Sequence, residues 1–199
     1  MTRLYCATSN AGKLREFRVA AGHAPVEIEL IPEFKGLPPA VEDGATFEEN
    51  AIKKALHYGR YANGLLFADD SGLEVDALGG APGVYSARYS GPHATDESNN
   101  RLLLENLRGV TNRAARFVCA IALVEGDRVA GVYRGIVEGE ILREARGAGG
   151  FGYDPLFYSA AADATFGEAS DERKFELSHR GQALRKMLAA LSSLLSRPT

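Results

Sequence analysis

The 199-residue sequence has no tryptophan, two cysteines and four histidines, and its 23 lysines and arginines are outnumbered by 26 aspartates and glutamates. Each shortage excludes something. A net charge of −3 lacks the basic excess with which proteins neutralise many nucleic-acid phosphates, so no nucleic-acid polymer is expected as a partner and any anion site must be local. Cys6 and Cys119 are far apart and each sits in an apolar stretch, which reads as two buried thiols in a reducing compartment rather than a disulfide framework. His23, His57, His93 and His179 lack metal-ligand spacing, which argues against a zinc enzyme, and no nucleophilic triad is visible. The longest apolar run, Phe117 to Val124, is far below the roughly 20 residues that span a bilayer. Met1 to Cys6 contain no extended apolar core of the signal-peptide kind. No membrane partner and a cytoplasmic location are the expectations.

What is present is an ordinary globular composition, 45% apolar and 25% charged, in a length that suits one domain. Leu4 to Thr8 reads as a strand, Ser9 to Gly12 as a turn, Lys13 to Ala21 as a helix stopped by Gly22, and Val26 to Ile31 as a second strand. Thr46-Phe47-Glu48-Glu49 has the form of a capping box opening a helix expected to reach about Asn63. Leu65 to Ala68 is an apolar run without alternation, as in a strand covered on both faces, ending at Asp69-Asp70-Ser71-Gly72. Residues 95–108 read as a helix, Arg116 to Val124 and Arg128 to Val137 as a hairpin about Gly126-Asp127, and Ser178 to Leu195 as an amphipathic last helix. The fold class expected is α/β, a mixed central sheet flanked by helices. Residues 1–199 form a single domain in this reading, with 110–145 the segment that would form any second lobe.

Four constellations point to chemistry. Thr8-Ser9-Asn10-Ala11-Gly12-Lys13 lies between strand and helix, where small residues, free helix N–H groups and a lysine suit a phosphate. It is not a Walker A loop, which would need a glycine at Ala7 and a hydroxyl at Leu14. Asp69-Asp70 stand at the end of the apolar strand, where open α/β sheets place ligands, and adjacent carboxylates repel unless a cation shares them. Lys54 falls beside the stripe of Phe47, Ala51, Ala55 and Tyr58, which leaves a choice between a functional lysine and one that snorkels to solvent. Ser178-His179-Arg180 sets cations at a helix start, which makes sense if an anion or a carbonyl oxygen binds there. Gly147 to Gly152 matches G-x-G-x-x-G, but no helix follows, so the dinucleotide reading fails on context. Phe151 and Tyr153 are readable either as walls for a planar base or as core aromatics.

Six segments in order, Thr8 to Lys13, Thr46 to Ala51, Asp69 to Gly72, Gly79 to Gly83, Phe151 to Asp154 and Ser178 to Gly181, resemble the inosine/xanthosine triphosphate pyrophosphatase family, also called Ham1-like. The resemblance implies hydrolysis of ITP, dITP and XTP to the monophosphate and pyrophosphate, Mg²⁺, and a homodimer. It also implies roles: Thr8, Ser9, Asn10, Ala11, Gly12, Lys13 and Lys54 for the phosphates, Asp70 as general base, and Ser71 for substrate contact. Phe151, Gly152, Tyr153, Asp154, Lys174, His179 and Arg180 would recognise the base. The metal carboxylates would be Asp69, Asp70 and Glu42, with Glu33 close by. The rival readings are a Maf-type pyrophosphatase of other specificity and a nucleotide-binding module without turnover.

Overall fold

The computed structural model describes residues 2–22 and 24–195, so His23 lies outside the described residues. The chain is α/β, as its pattern predicts. Strand β1 (Thr2–Cys6) pairs in parallel with β2 (Val26–Leu30) on one side and with β3 (Leu65–Val75) on the other. Beyond β3 come β4 (Ala114–Glu125), β5 (Arg128–Ile141), β6 (Phe157–Ser159) and β7 (Ala164–Thr165), giving seven strands in the order β2-β1-β3-β4-β5-β6-β7. β6 is antiparallel to both of its neighbours, so the sheet is mixed. The helices are α1 (Ala11–Ala21), α2 (Phe47–Gly59), α3 (Asp96–Asn106), α4 (Asp171–Leu177) and α5 (His179–Leu195). No helix among the described residues is long and apolar enough to cross a membrane.

The chain divides into two compact units, and the division falls inside β3, β4 and β5 rather than around residues 110–145. The first unit takes residues 1–70, 119–135 and 180–199. Its core joins Leu4 and Cys6 of β1, Phe67 of β3 and Ile121 of β4 to Phe17 of α1 and to Leu184, Met187 and Leu191 of α5. That stripe is the period expected of an amphipathic helix, with Met187 fully buried and Leu188 at the margin. The second unit takes residues 71–118 and 136–179, with a core of Leu73, Leu103, Phe117, Phe157 and Phe166 among others.

Two elements differ from the sequence expectation in ways that matter. The strand expected to end at Ala68 runs on through Asp69-Asp70-Ser71-Gly72 to Val75. Charge at Asp69 does not end it because that carboxylate is ion-paired. Gly72 supports the continuation, since any side chain there would collide with Ser86 and the Gly83 carbonyl. Its neighbour β1 stops much sooner: pairing ends at Cys6 opposite Phe67, with one more bond from the Ala7 N–H to the Phe67 carbonyl. Asp69 and Asp70 are therefore in mid-strand but beyond the carboxyl end of the parallel partner, beside the loop that enters α1.

Helix α2 ends at Gly59 rather than near Asn63. It is closed by three-residue bonds from Tyr61 to Tyr58 and from Ala62 to Gly59. Its start is the expected one, with the Glu49 N–H capped by the Thr46 hydroxyl, although the Glu49 carboxylate reaches the Ala45 N–H instead of that of Thr46. Gly59 lies against the Gly126 carbonyl of the β4–β5 turn and against Val124, so a methyl group there has no room. Helix propensity alone makes Gly59→Ala stabilising by about 1 kcal/mol; overpacking reverses the sign, and a net loss of about 1–3 kcal/mol is expected. Urea unfolding of the variant measures it, and a gain in stability would refute the packing.

Candidate active site

The first unit gathers its charged side chains around β3. Asp69 is fully buried, and its Oδ2 accepts from Lys13 Nζ of α1 at 2.8 Å. Arg180 Nε, at the start of α5, stands 3.9 Å from the same oxygen. Lys54 Nζ of α2 donates to the Asp69 main-chain carbonyl at 3.3 Å and lies 3.2 Å from Glu42. Three helices thus aim a cation at one residue. Burial works to raise the Asp69 carboxyl, but Lys13, Lys54 and Arg180 together outweigh it and bring the group down to about 2. Lys54 answers the choice left open by its position on the helix: its side chain does not snorkel, and Asp69, Glu42 and Asp70 hold it charged against the opposing effect of burial.

Asp70 is different. The pleat sends adjacent side chains to opposite faces, so the two carboxylates do not share one environment. Asp70 Oδ2 accepts from Asn50 Nδ2 of α2 at 3.0 Å, and Asn50 is itself oriented because its Oδ1 accepts the Gly44 N–H at 2.7 Å. Burial raises the Asp70 carboxyl above its ordinary value, Asn50 and Lys13 pull it down, and Asp69 and Glu42 push it up again. A carboxylate so raised is the better proton acceptor of the pair. The repulsion expected between neighbouring carboxylates is thus met by the pleat and by the lysines before any metal is considered.

The phosphate-loop residues precede α1. Asn10 is the N-cap and accepts the Lys13 N–H at 3.0 Å, so the helix begins at Ala11 rather than Lys13. Thr8 is buried and its hydroxyl accepts the Asn10 N–H, whereas Ser9, Asn10 and Ala11 are exposed and Gly12 is half-buried. No acidic residue occupies the first turn, which leaves the positive end of the helix to an incoming anion. Of the two glutamates weighed for a metal, Glu42 is the one at Lys54. Glu33 is exposed, in a left-handed conformation on a short 3-10 segment, beside a groove that Thr8 and Ser9 also line.

Glu42, Asp69 and Asp70 do not form a ready-made cage, because no three His, Cys, Asp or Glu side chains among the described residues are gathered to enclose a metal. The donor chemistry nevertheless fits a hard divalent cation shared with phosphate oxygens, which needs only one or two carboxylates. Lys13, Lys54 and Arg180 face Asp69, Asp70, Glu42 and Glu16, so a polyphosphate would meet carboxylates as well as cationic side chains, and an accompanying cation would screen the carboxylates. Asp70 and Glu42, both half-buried, fit that role best, while Asp69 is fully buried as the counter-ion of Lys13.

The second unit holds the other predicted residues. Ser71 is half-buried at its start, next along β3 from Asp70. Lys174 of α4 is buried and its ammonium pairs with Asp154 Oδ2 at 2.5 Å, the oxygen that also accepts the Phe151 N–H at 2.8 Å. The same ammonium lies 5.2 Å from the Phe151 ring centre. The buried His179 ring stacks on Phe117 at 4.8 Å. Phe151 and Gly152 are half-buried, but Tyr153 is a core residue: its hydroxyl donates to the Ser86 carbonyl at 2.8 Å, and burial holds it well above its ordinary pKa. The wall-or-core choice therefore resolves against Tyr153 as a wall. Arg180 is placed with Asp69 and with the buried Glu16 of α1, to which it donates at 2.8 Å.

Asn50 and Glu16 as functional groups, and α4 as an element, lie outside the sequence expectations. The signal for α4 was present: Ser170, whose hydroxyl accepts the Arg173 N–H, is followed at once by Asp171 and Glu172. Asn50 and Glu16 left no such trace, because their partners lie 20 and 164 residues away.

A mixed α/β sheet with a lysine-bound buried carboxylate beside a helix N-terminus that has no acidic residue in its first turn suits a phosphorylated ligand. The chain belongs to the Ham1 family, which it matches over residues 4–190. It is 50% identical over 192 residues to a dITP/XTP pyrophosphatase of Syntrophobacter fumaroxidans, covering 96% of this chain and 83% of that one. Among solved structures it is similar to the Ham1 protein of Staphylococcus aureus (40% identity, TM-score 0.85, 97% and 100% covered). The HAM1 protein of Coxiella burnetii is similar to the same degree (40% identity, TM-score 0.86, 97% and 100% covered).

The pair of aspartates yields a prediction. The Asp69 carboxyl is depressed in the folded state, so the stability it contributes is present above its unfolded value of about 3.9 and is lost as pH falls toward about 2. Asp69→Asn, which leaves its cations unbalanced, should cost about 3–5 kcal/mol and flatten that acid limb. Urea midpoints measured across the window test both; parallel limbs for the two proteins would contradict the assignment.

Proposed function

We propose that this chain hydrolyses ITP, dITP and XTP to the nucleoside monophosphate and pyrophosphate, clearing deaminated purines from the nucleotide pool. The observation that carries the reading is the convergence of Lys13 and Lys54 on β3 beside Asp70, a carboxylate held with a raised pKa. Charge of that kind stabilises the oxygens of a transferring phosphoryl group, and a raised carboxylate takes the proton of the attacking water. The name of the Syntrophobacter relative supports the substrate class.

In this mechanism Ser9, Asn10, Ala11 and Gly12 present main-chain N–H groups and small side chains to the triphosphate, with Thr8 holding the loop in shape. Lys13 and Lys54 balance the charge that builds on the leaving pyrophosphate. Asn50 fixes Asp70 so that its carboxylate orients and deprotonates a water directed at the α-phosphorus, and Ser71 contacts the substrate next to it. Glu42 and Asp70, backed by Asp69, would hold Mg²⁺, which when bound supplies charge neutralisation and polarisation of phosphate oxygens. Phe151, Gly152 and Asp154 with Lys174, His179 and Arg180 recognise the base. A lysine donor suits a 6-oxo group, whereas adenine's 6-amino group would set donor against donor. We propose further that the protein works as a homodimer, as the family resemblance implies, and in the cytoplasm, as expected from its apolar patterning.

Incubation with ITP, XTP, ATP and GTP, with and without Mg²⁺, tests the reading. IMP and pyrophosphate are expected from ITP only with the metal, with ATP largely spared. Inosine diphosphate and phosphate would move the attack to the γ-phosphorus, preferred turnover of pyrimidine nucleotides would favour a Maf-type specificity, and no turnover would leave a binding module. Asp70→Asn should reduce kcat by at least about a hundredfold and remain folded; near-normal turnover would remove Asp70 from the mechanism. Asn50→Ala deletes a hydrogen bond that favours the ionised carboxylate, so the acid limb of kcat/KM should move to higher pH. A shift to lower pH would contradict the role given to Asn50.

A further inference from the structure

The loop that carries Phe151 and Asp154 is held at its centre by one helix. Asp96, in the first turn of α3, accepts the Gly152 N–H through Oδ2 at 2.7 Å. Asn100, one turn further on the same face, donates Nδ2 to the Gly152 carbonyl at 2.9 Å. Both polar groups of a single residue are therefore taken by side chains four positions apart. Gly152 has φ +62°, a conformation costly for any residue with a Cβ.

On either side the loop is tied to itself and to the 3-10 segment 83–88. The Phe151 N–H and the Lys174 ammonium share Asp154 Oδ2. The Tyr153 hydroxyl and Asn99 Nδ2 meet at the Ser86 carbonyl. Asn99, between the two clamp residues, also accepts the Ser90 N–H, so α3 itself is fixed against the segment it anchors. Thr95 and Ser98 form a complete capping box that fixes the first turn of α3, where Asp96 sits.

We propose that Asp96 and Asn100 are positioning residues that set base selectivity by fixing Gly152, and with it the place of the Phe151 ring and of the Asp154–Lys174 pair. The inference rests on the base-recognition role given above to Phe151, Asp154 and Lys174. Asp96 and Asn100 act through the two Gly152 main-chain groups they hold. They remove the freedom of the loop to re-aim its donor, and a 6-oxo purine is distinguished from a 6-amino one by where that donor stands. A loosened loop would still admit a purine, with weaker and less discriminating contacts, while the phosphate residues act unchanged.

Three variants separate this from a general loss of structure. Asp96→Ala deletes the acceptor, Asp96→Asn keeps one, and Asn100→Asp sets an acceptor against the Gly152 carbonyl at almost unchanged volume. Loss of one such hydrogen bond predicts about a tenfold rise in KM for ITP and about a tenfold fall in the preference for ITP over ATP in Asp96→Ala and Asn100→Asp. Their kcat at saturating ITP should stay within about twofold of the unaltered protein, and Asp96→Asn should keep both KM and selectivity within about twofold. Amide hydrogen exchange at Gly152 should quicken in Asp96→Ala but not in Asp96→Asn.

A selective unaltered enzyme whose selectivity survives both disruptive variants would overturn the inference alone. So would a fall in kcat at constant KM, which would assign the two residues to the chemistry or to overall stability. An unaltered protein that does not discriminate ITP from ATP would overturn the functional reading, and with it the selectivity role, while the exchange measurement would still report whether α3 holds the loop.

Discussion

The carboxylate of Asp69 is the point on which the first unit is organised. It is a full charge with no exposure to water, a state that burial opposes and that only close cations make tolerable. Lys13 from α1, Lys54 from α2 and Arg180 from α5 supply them, and Glu16 holds Arg180 in turn. The interaction therefore fixes the azimuth of three helices against β3, beyond what the apolar contacts of Phe17, Leu184 and Met187 require. It also fixes Lys13 of α1 and Lys54 of α2 beside Asp69, where the functional reading needs them. Buried ion clusters are poor sources of net stability. Retaining one is intelligible where its geometry serves a ligand.

Adjacent aspartates on a strand can divide labour without any special loop. One side chain points toward Lys13 of α1 and Arg180 of α5, the next toward Asn50 of α2, and the resulting environments drive the two carboxyls in opposite directions. This is the general way in which one fold obtains both a fixed counter-ion and a proton acceptor from the same residue type: environments are separated, and pKa values follow. β1 ends two residues short of this pair in the ladder, so the pair has strand geometry on one side and an open loop on the other.

Much of this was legible in the sequence, for physical reasons that can be named. Strands and helices with a strong apolar period, such as α5, and helices with a clear cap, such as α2 and α3, announce themselves locally. The Thr8 to Lys13 loop was legible because small residues before a helix carry a conformational meaning. Three things were not. The continuation of β3 through two aspartates depends on counter-charges that come from Lys13 and Lys54, which no window around residue 70 contains. The orientation of Asn50 depends on Gly44 and Asp70 at once. The burial of Tyr153 depends on Ser86, 67 positions away, and an aromatic beside glycines reads equally well as pocket wall or core until that partner is known.

The claim that one strand splits two neighbouring carboxylates into a fixed counter-ion and a proton acceptor is testable without turnover. Carboxyl ¹³C shifts of the metal-free protein, followed through an acid titration and assigned by comparison with Asp69→Asn and Asp70→Asn, read both groups directly. The account predicts that Asp69 stays ionised down to about 2 and that Asp70 titrates above the ordinary aspartate value. Two indistinguishable titrations, or the reverse order, would contradict it.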